Sequence, residues 1–264
     1  RRKLFALVLS TVLILAMAAP VLAADGTISA DGTYDIGVFG NDSLITIDPG
    51  LTVTLTNTSE SAYTNMRIEC GAGVKLTLNG VKIDNNGKLD ACSLAFTGDG
   101  NELVLEGENT LTAGHDEPGI RAESGTSLEI AGGGTIIAQG GHNGAGIGGG
   151  WYGGGGTITI TGGTVIARGG SYGAGIGGGY RGSNGIITIS GGTVDALSIS
   201  MGSGIGGGQY SDGGTITISG GRVDALGGFG CAGIGGGTEG GGGDVKVSGG
   251  VVYAQRGNDA PLDI

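Results

Sequence analysis

Large aromatic side chains in glycine-rich loops are the residues of this sequence best suited to chemistry. The 264-residue chain has one Trp, seven Tyr and four Phe. Trp151, Tyr152, Tyr180 and Tyr210 all follow copies of Gly-Ile-Gly-Gly-Gly closely. Trp151 and Tyr180 occupy equivalent places, as do Tyr152 and Tyr210. Polar glycine-rich loops have no packing need for such rings. They either shield turn backbone or offer flat faces on which the apolar side of a sugar stacks. Arg181, Gln209 and Glu239 fall at equivalent positions and would supply polar contacts.

Other constellations are weaker. Asp195 and Asp224 are expected to stack on neighbouring coils, and carboxylates about 5 Å apart repel unless a cation or proton intervenes. A calcium contact is one reading of that pair, and solvated outward carboxylates are the favoured one. Gly144–Gly149, Gly173–Gly178 and Gly202–Gly207 match G-x-G-x-x-G, but no helix follows to present its N-terminus to a phosphate. A lyase would need a basic residue beside calcium-binding carboxylates, whereas the arginines are scattered. Arg121 and Glu123 flank an inward Ala122 and read as a surface pair. His115 and His142 have no companion at metal-ligand spacing, so zinc and haem are unsupported. Cys70 and Cys92 both point inward, roughly 13 Å apart and beyond disulfide reach. With Cys231 at a loop end, all three read as free thiols. Outward Thr and Ser at 157–161, 186–190 and 215–219 express β-propensity rather than an ice-binding array.

The elements that position these residues follow from internal repetition. Ala145-Gly-Ile-Gly-Gly-Gly150 recurs from Ala174, Ser203 and Ala232, each 29 residues on. The block from Thr157 to Ala167 recurs from Ile186, Thr215 and Asp244. Upstream, Ile147 has counterparts at Ile120, Leu94 and Ile68. Each unit holds three short strand-like pieces, the first two with period-two alternation, and no helix between them. The expected fold is all-β: a single right-handed parallel β-helix of about seven coils with a 25–29-residue repeat, whose apolar faces close only by stacking. Four inward ladders are expected. One runs Leu76, Leu103, Leu128, Ile158, Ile187, Ile216 and Val245. The next is Leu78, Leu105, Ile130, Ile160, Ile189, Ile218 and Val247. The third is Val81, Ile136, Val165, Val194, Val223 and Val252. The fourth is Ile68, Leu94, Ile120, Ile147, Ile176, Ile205 and Ile234.

Composition bounds the rest. Glycine is 65 of 264 residues, 50 of them in 132–264, which excludes helix there and lacks the period of collagen. Arg1-Arg2-Lys3, the apolar run Leu4–Ala19 and Pro20 read as a secretory signal peptide over 1–23, cut between Ala23 and Ala24. Removing it leaves 10 basic and 24 acidic residues, a net charge of −14. That argues against nucleic acid and anionic membranes as partners and fits a secreted or cell-surface protein. Residues 24–44 read as an N-terminal lead-in or cap and 45–264 as the β-helix. The absence of a polar C-terminal capping element predicts a longer polypeptide.

Leu76-Thr-Leu-Asn-Gly-Val-Lys-Ile-Asp-Asn-Asn86, Glu106-Gly-Glu-Asn-Thr-Leu-Thr-Ala-Gly114 and the Gly-Ala-Gly-Ile-Gly-Gly-Gly blocks resemble a secreted bacterial carbohydrate-binding family with a pectate-lyase-like β-helix. The resemblance covers most of the mature chain. It implies an extracellular right-handed β-helix, polysaccharide binding and calcium sites, with no ligand residue that maps onto these positions. The expected function is non-catalytic binding of a cell-wall or plant-type polysaccharide by Trp151, Tyr152, Tyr180, Tyr210, Arg181 and Gln209. A structural stalk or adhesin repeat is the alternative, and a lyase or glycosidase ranks below both.

Overall fold

A computed structural model describes residues 25–258 apart from Glu60, Ser183 and Asn184. The leader, its cleavage point at Ala23–Ala24 and residues 259–264 lie outside the described residues. The chain winds into three parallel sheets of nine, nine and eight strands, with each strand paired to its counterparts one coil before and one coil after. One coil shows the plan: Ile176–Gly177 in the first sheet, Ile186–Ile189 in the second, Thr193–Ser198 in the third. The result is an all-β solenoid of about seven turns with a repeat of about 28 residues. Its ladders continue upstream to Gly26–Ile28 and Gly32–Asp35. There the short 3-10 helix Ile36–Val38 begins, with Asp35 accepting from the Gly37 N–H, and Ile36 and Phe39 are buried.

The interior is built from aliphatic ladders. Ile45, Ile68, Leu94, Ile120, Ile147, Ile176, Ile205 and Ile234 lie one above another in the first sheet. All but the last are buried. The wall opposite is lined by Ile136, Val165, Val194 and Val223, again in register.

Two expected ladders are corrected by the register of the second sheet. Leu103 pairs with Ile130 rather than Leu128, and Leu105 pairs with Gly132 rather than Ile130. The position opposite Leu128 belongs to Asn101. Hydrophobic pattern alone selects Leu103, because an inward asparagine breaks the pattern. Asn101 is nevertheless buried, and its Oδ1 accepts from Val74 N–H while its Nδ2 donates to Gly98 O. Asn109 likewise fills the place between Val81 and Ile136 in the third sheet. Its amide accepts from Val81 N–H and donates to the carbonyls of Glu106 and Thr135. Buried amides are tolerated here because the coil's corners leave backbone groups that need partners. The cysteines follow the expectation. All three are free and buried, and burial pushes the Cys92 thiol up to about 12.

The coil lengthens most at one place. Ile120 to Leu128 spans 8 positions, whereas their stacked partners Ile147 and Ile158 are 11 apart. The connection between the first and second sheets therefore gains three residues from this coil onward. Those longer connections hold Trp151, Tyr152, Tyr180, Arg181, Gln209 and Tyr210.

Candidate functional site: an aromatic corner

Each long connection opens with the same turn. The N–H of Gly153 donates to Gly150 O, and Gly182, Ser211 and Gly240 repeat this with Gly179, Gly208 and Gly237. The third residue of each turn is left-handed: Tyr152 (φ 57°), Arg181 (55°), Tyr210 (63°) and Glu239 (62°). That slot ordinarily favours glycine, and a bulky residue there costs about 1–2 kcal/mol. A neighbouring row of loops, which leave the third sheet, holds the turns in place. Trp151 N–H donates to Asp116 O, Tyr180 to Asn143, Gln209 to Tyr172 and Thr238 to Met201, at 2.8–3.0 Å. Two loop rows thus meet along one corner of the solenoid.

The rings form a continuous strip on that corner. Trp151 and Tyr152 are 5.2 Å apart between centroids, Tyr152 and Tyr180 6.0 Å, and Tyr180 and Tyr210 5.9 Å. Trp151, Tyr152 and Tyr210 are 55, 58 and 42% exposed. The Arg181 guanidinium lies 4.8 Å from the Tyr210 centroid and 5.4 Å from that of Tyr180. Edge-to-face contacts of Tyr180 with Tyr152 and Tyr210 fix the orientation of the rings.

A family model described as a beta helix repeat matches residues 128–151, 158–180, 187–209 and 216–238. Each matched segment carries the second- and third-sheet strands and ends at an aromatic-corner turn. By its fold the chain is a β-helix built of repeats, and the matched segments lie within 128–238. Comparison with curated proteins and with solved structures finds no match.

Within this β-helix repeat protein, Trp151, Tyr152, Tyr180, Tyr210 and Arg181 come together as the spacing implied. Gln209 does not join their exposed surface. It is 8% exposed, because its place in the turn faces the Tyr172 loop. The expected equivalence of Asp195 and Asp224 holds, since they are ladder partners between Ile166 and Tyr253. Asp224 is engaged by Arg222 at 2.8 Å, and no group of three or more His, Cys, Asp or Glu side chains among the described residues is placed to hold a metal. Calcium takes six to eight oxygens, so this pair does not fit it.

Sequence spacing missed the second loop row. Tyr172 lies 5.4 Å from Tyr180, His142 meets Tyr172 edge-on at 4.6 Å, and His115 stacks on His142 at 5.0 Å. Equivalence across the repeat could have linked His115 to His142, but Tyr172 follows a different position and reaches the strip only through folding. Asp116 accepts from the Asn143 amide and pairs with His115 Nδ1 at 2.8 Å. Burial alone would raise the Asp116 carboxyl, but those bonds and the nearby imidazoles outweigh it and hold it below the usual range. Burial and the adjacent His115 lower His142, against a weaker opposing pull from Asp116. At the Trp151 end, Arg121 contacts both Glu117 and Glu123, and Glu123 accepts from Gly150 N–H at 3.3 Å. This trio props the first aromatic turn.

Proposed function

We propose that this β-helix repeat protein is a non-catalytic, secreted or cell-surface protein that binds polysaccharide along the aromatic corner. The observation that carries the reading is the strip of neighbouring rings at about one coil spacing, three of them exposed, held in turns whose backbone would favour glycine. A coil advances about 4.8 Å, close to the length of a sugar residue, so an extended glycan could lay successive rings along the strip. Polar groups beside the rings fix orientation, as in other aromatic platforms that take extended polymers. Arg121 is engaged by both Glu117 and Glu123, which favours binding over lyase chemistry. The chain's acidity and its N-terminal apolar run support export.

The test is retention of the mature chain on a panel of purified glycans, with turnover assayed in parallel. Trp151→Ala combined with Tyr180→Ala should abolish retention while the β spectrum is preserved. Unchanged retention would move the binding face elsewhere, and product release from any polymer would overturn the non-catalytic reading.

A further inference from the structure

On the far side of the His115–His142–Tyr172 ridge from the aromatic strip lies a trough parallel to the solenoid axis. One wall is the outward ladder Thr112, Gln139, Arg168 and Leu197, in register on four successive coils. The other wall carries His115, His142 and Ser171, with Ile199 toward the C-terminal end. Between them the floor is backbone: Gly140, Gly141, Gly169 and Gly170. A Cβ on Gly141 or Gly170 would stand 1.8 Å from a carbonyl of the preceding coil, so these positions must stay bare.

The charge of the trough runs against that of the chain. The protein carries 24 acidic and 13 basic residues, yet among the described residues no carboxylate lines the trough. Both histidines of the chain do, and so does Arg168, which is exposed and has no ion-pair partner among the described residues. Asp116 stands behind His115 and engages its Nδ1, leaving Nε2 for another partner. A guanidinium and two imidazoles on adjacent coils, with hydroxyl and amide groups from Thr112, Ser171 and Gln139 between them, make a row of donors at coil spacing. Charge-assisted donors of this kind recognise carboxylate and sulfate oxygens.

The geometry points to this trough as a second binding site that takes an anionic sugar chain, one bearing carboxylate or sulfate groups. The inference rests on the polysaccharide-binding reading of the neighbouring strip and adds the class of polymer. Neutral sugar faces would stack on the strip, while acidic substituents would reach across the ridge to Arg168 and His142.

The experiment is calorimetry of the mature chain with size-matched neutral, carboxylated and sulfated oligosaccharides at pH 5.5 and 7.5. The expected result is anionic binding about tenfold or more tighter than neutral, weakening with salt and with rising pH. Arg168→Gln and His142→Gln, both at exposed positions, should each remove most of that preference while neutral binding stays unchanged. The NMR titration midpoint of His142 should rise on adding the anionic probe. Equal affinity for neutral and anionic probes, or a preference that survives Arg168→Gln, overturns the trough and leaves the strip standing. Loss of anionic preference in the trough variants, with no effect of Trp151→Ala plus Tyr180→Ala, would support the trough and sink the strip. Binding of none of the probes overturns both.

Discussion

The left-handed residues at the head of each long connection set a local conflict between backbone preference and side-chain use. Glycine would relieve about 1–2 kcal/mol at such a site and lose part of that through the greater freedom of the unfolded chain. Tyr210→Gly should therefore leave the melting temperature level or slightly higher while weakening glycan retention. A clear drop in melting temperature would show that the ring's packing, rather than ligand contact, keeps tyrosine there. The imidazole of His142 makes a second residue-scale prediction. Its proton affinity is lower in the folded chain than in the unfolded one, for which the ordinary value is 6.5. The folded state thus binds fewer protons, and His142's contribution to stability is complete above pH 6.5 and is lost as pH falls through the lower folded value. A proton NMR titration should place its midpoint below 6.5, and denaturant melts of His142→Gln should show a shallower fall in stability on the acid side. A midpoint above 6.5 would mean that Asp116 dominates the site.

At the scale of the element, coil-to-coil contact distinguishes glycines that look alike in sequence. Gly177 has φ +133°, and a Cβ there would sit 2.0 Å from Gly206 O. Gly133 has open space around it. Gly133→Ala should be neutral or stabilising by up to about 1 kcal/mol, while Gly177→Ala should lower the melting temperature sharply or prevent folding. Comparable behaviour of the two would mean that the coils do not stack as described. Asn109→Ala should cost about 1–3 kcal/mol, since it strands the Val81 N–H and several carbonyls in the interior. The aliphatic ladders from Ile147 onward were legible in the sequence, because equal spacing and period-two alternation leave one register. Upstream the first-sheet ladder of Ile68, Leu94 and Ile120 was legible too, whereas those of the second and third sheets were not. Asn101 and Asn109 occupy inward places, and a reading based on apolar pattern slides past them to Leu103. The strip was legible for Trp151, Tyr152, Tyr180 and Tyr210 because they share one position class. Tyr172 and His142 come from another connection and meet the strip only across space.

The whole molecule behaves as a stack in which each coil contacts mainly its neighbours. Removing residues 187–215 joins Ile186 to Ile216, and the ladders of the second and third sheets can close without a change of register. That deletion should keep the β spectrum and a cooperative melt. It also takes out Tyr210 and shortens the strip, so retention of long glycans should fall. A shortened chain that folds and retains its polymer undiminished would favour a purely structural role for the repeat. The parallel solenoid was legible from the 29-residue period. The addition of His115, His142 and Tyr172 to the aromatic corner was not, because it depends on which connections approach each other.

The three residues gained between Ile120–Leu128 and Ile147–Ile158 also divide the chain into two parts that tolerate duplication differently. Before that point coil lengths vary, and buried asparagines tie particular coils to particular neighbours. After it every coil is interchangeable with the next, ladder for ladder. Unequal recombination can therefore add or drop a coil in the later part without disturbing the core, whereas the same event upstream would misplace an asparagine. Homologous chains should differ in length by steps of 29 residues within the glycine-rich part and keep the earlier coils fixed in number. A step that copies a coil with tyrosine in its turn would extend the strip, so the reach of the binding face can be tuned by copy number.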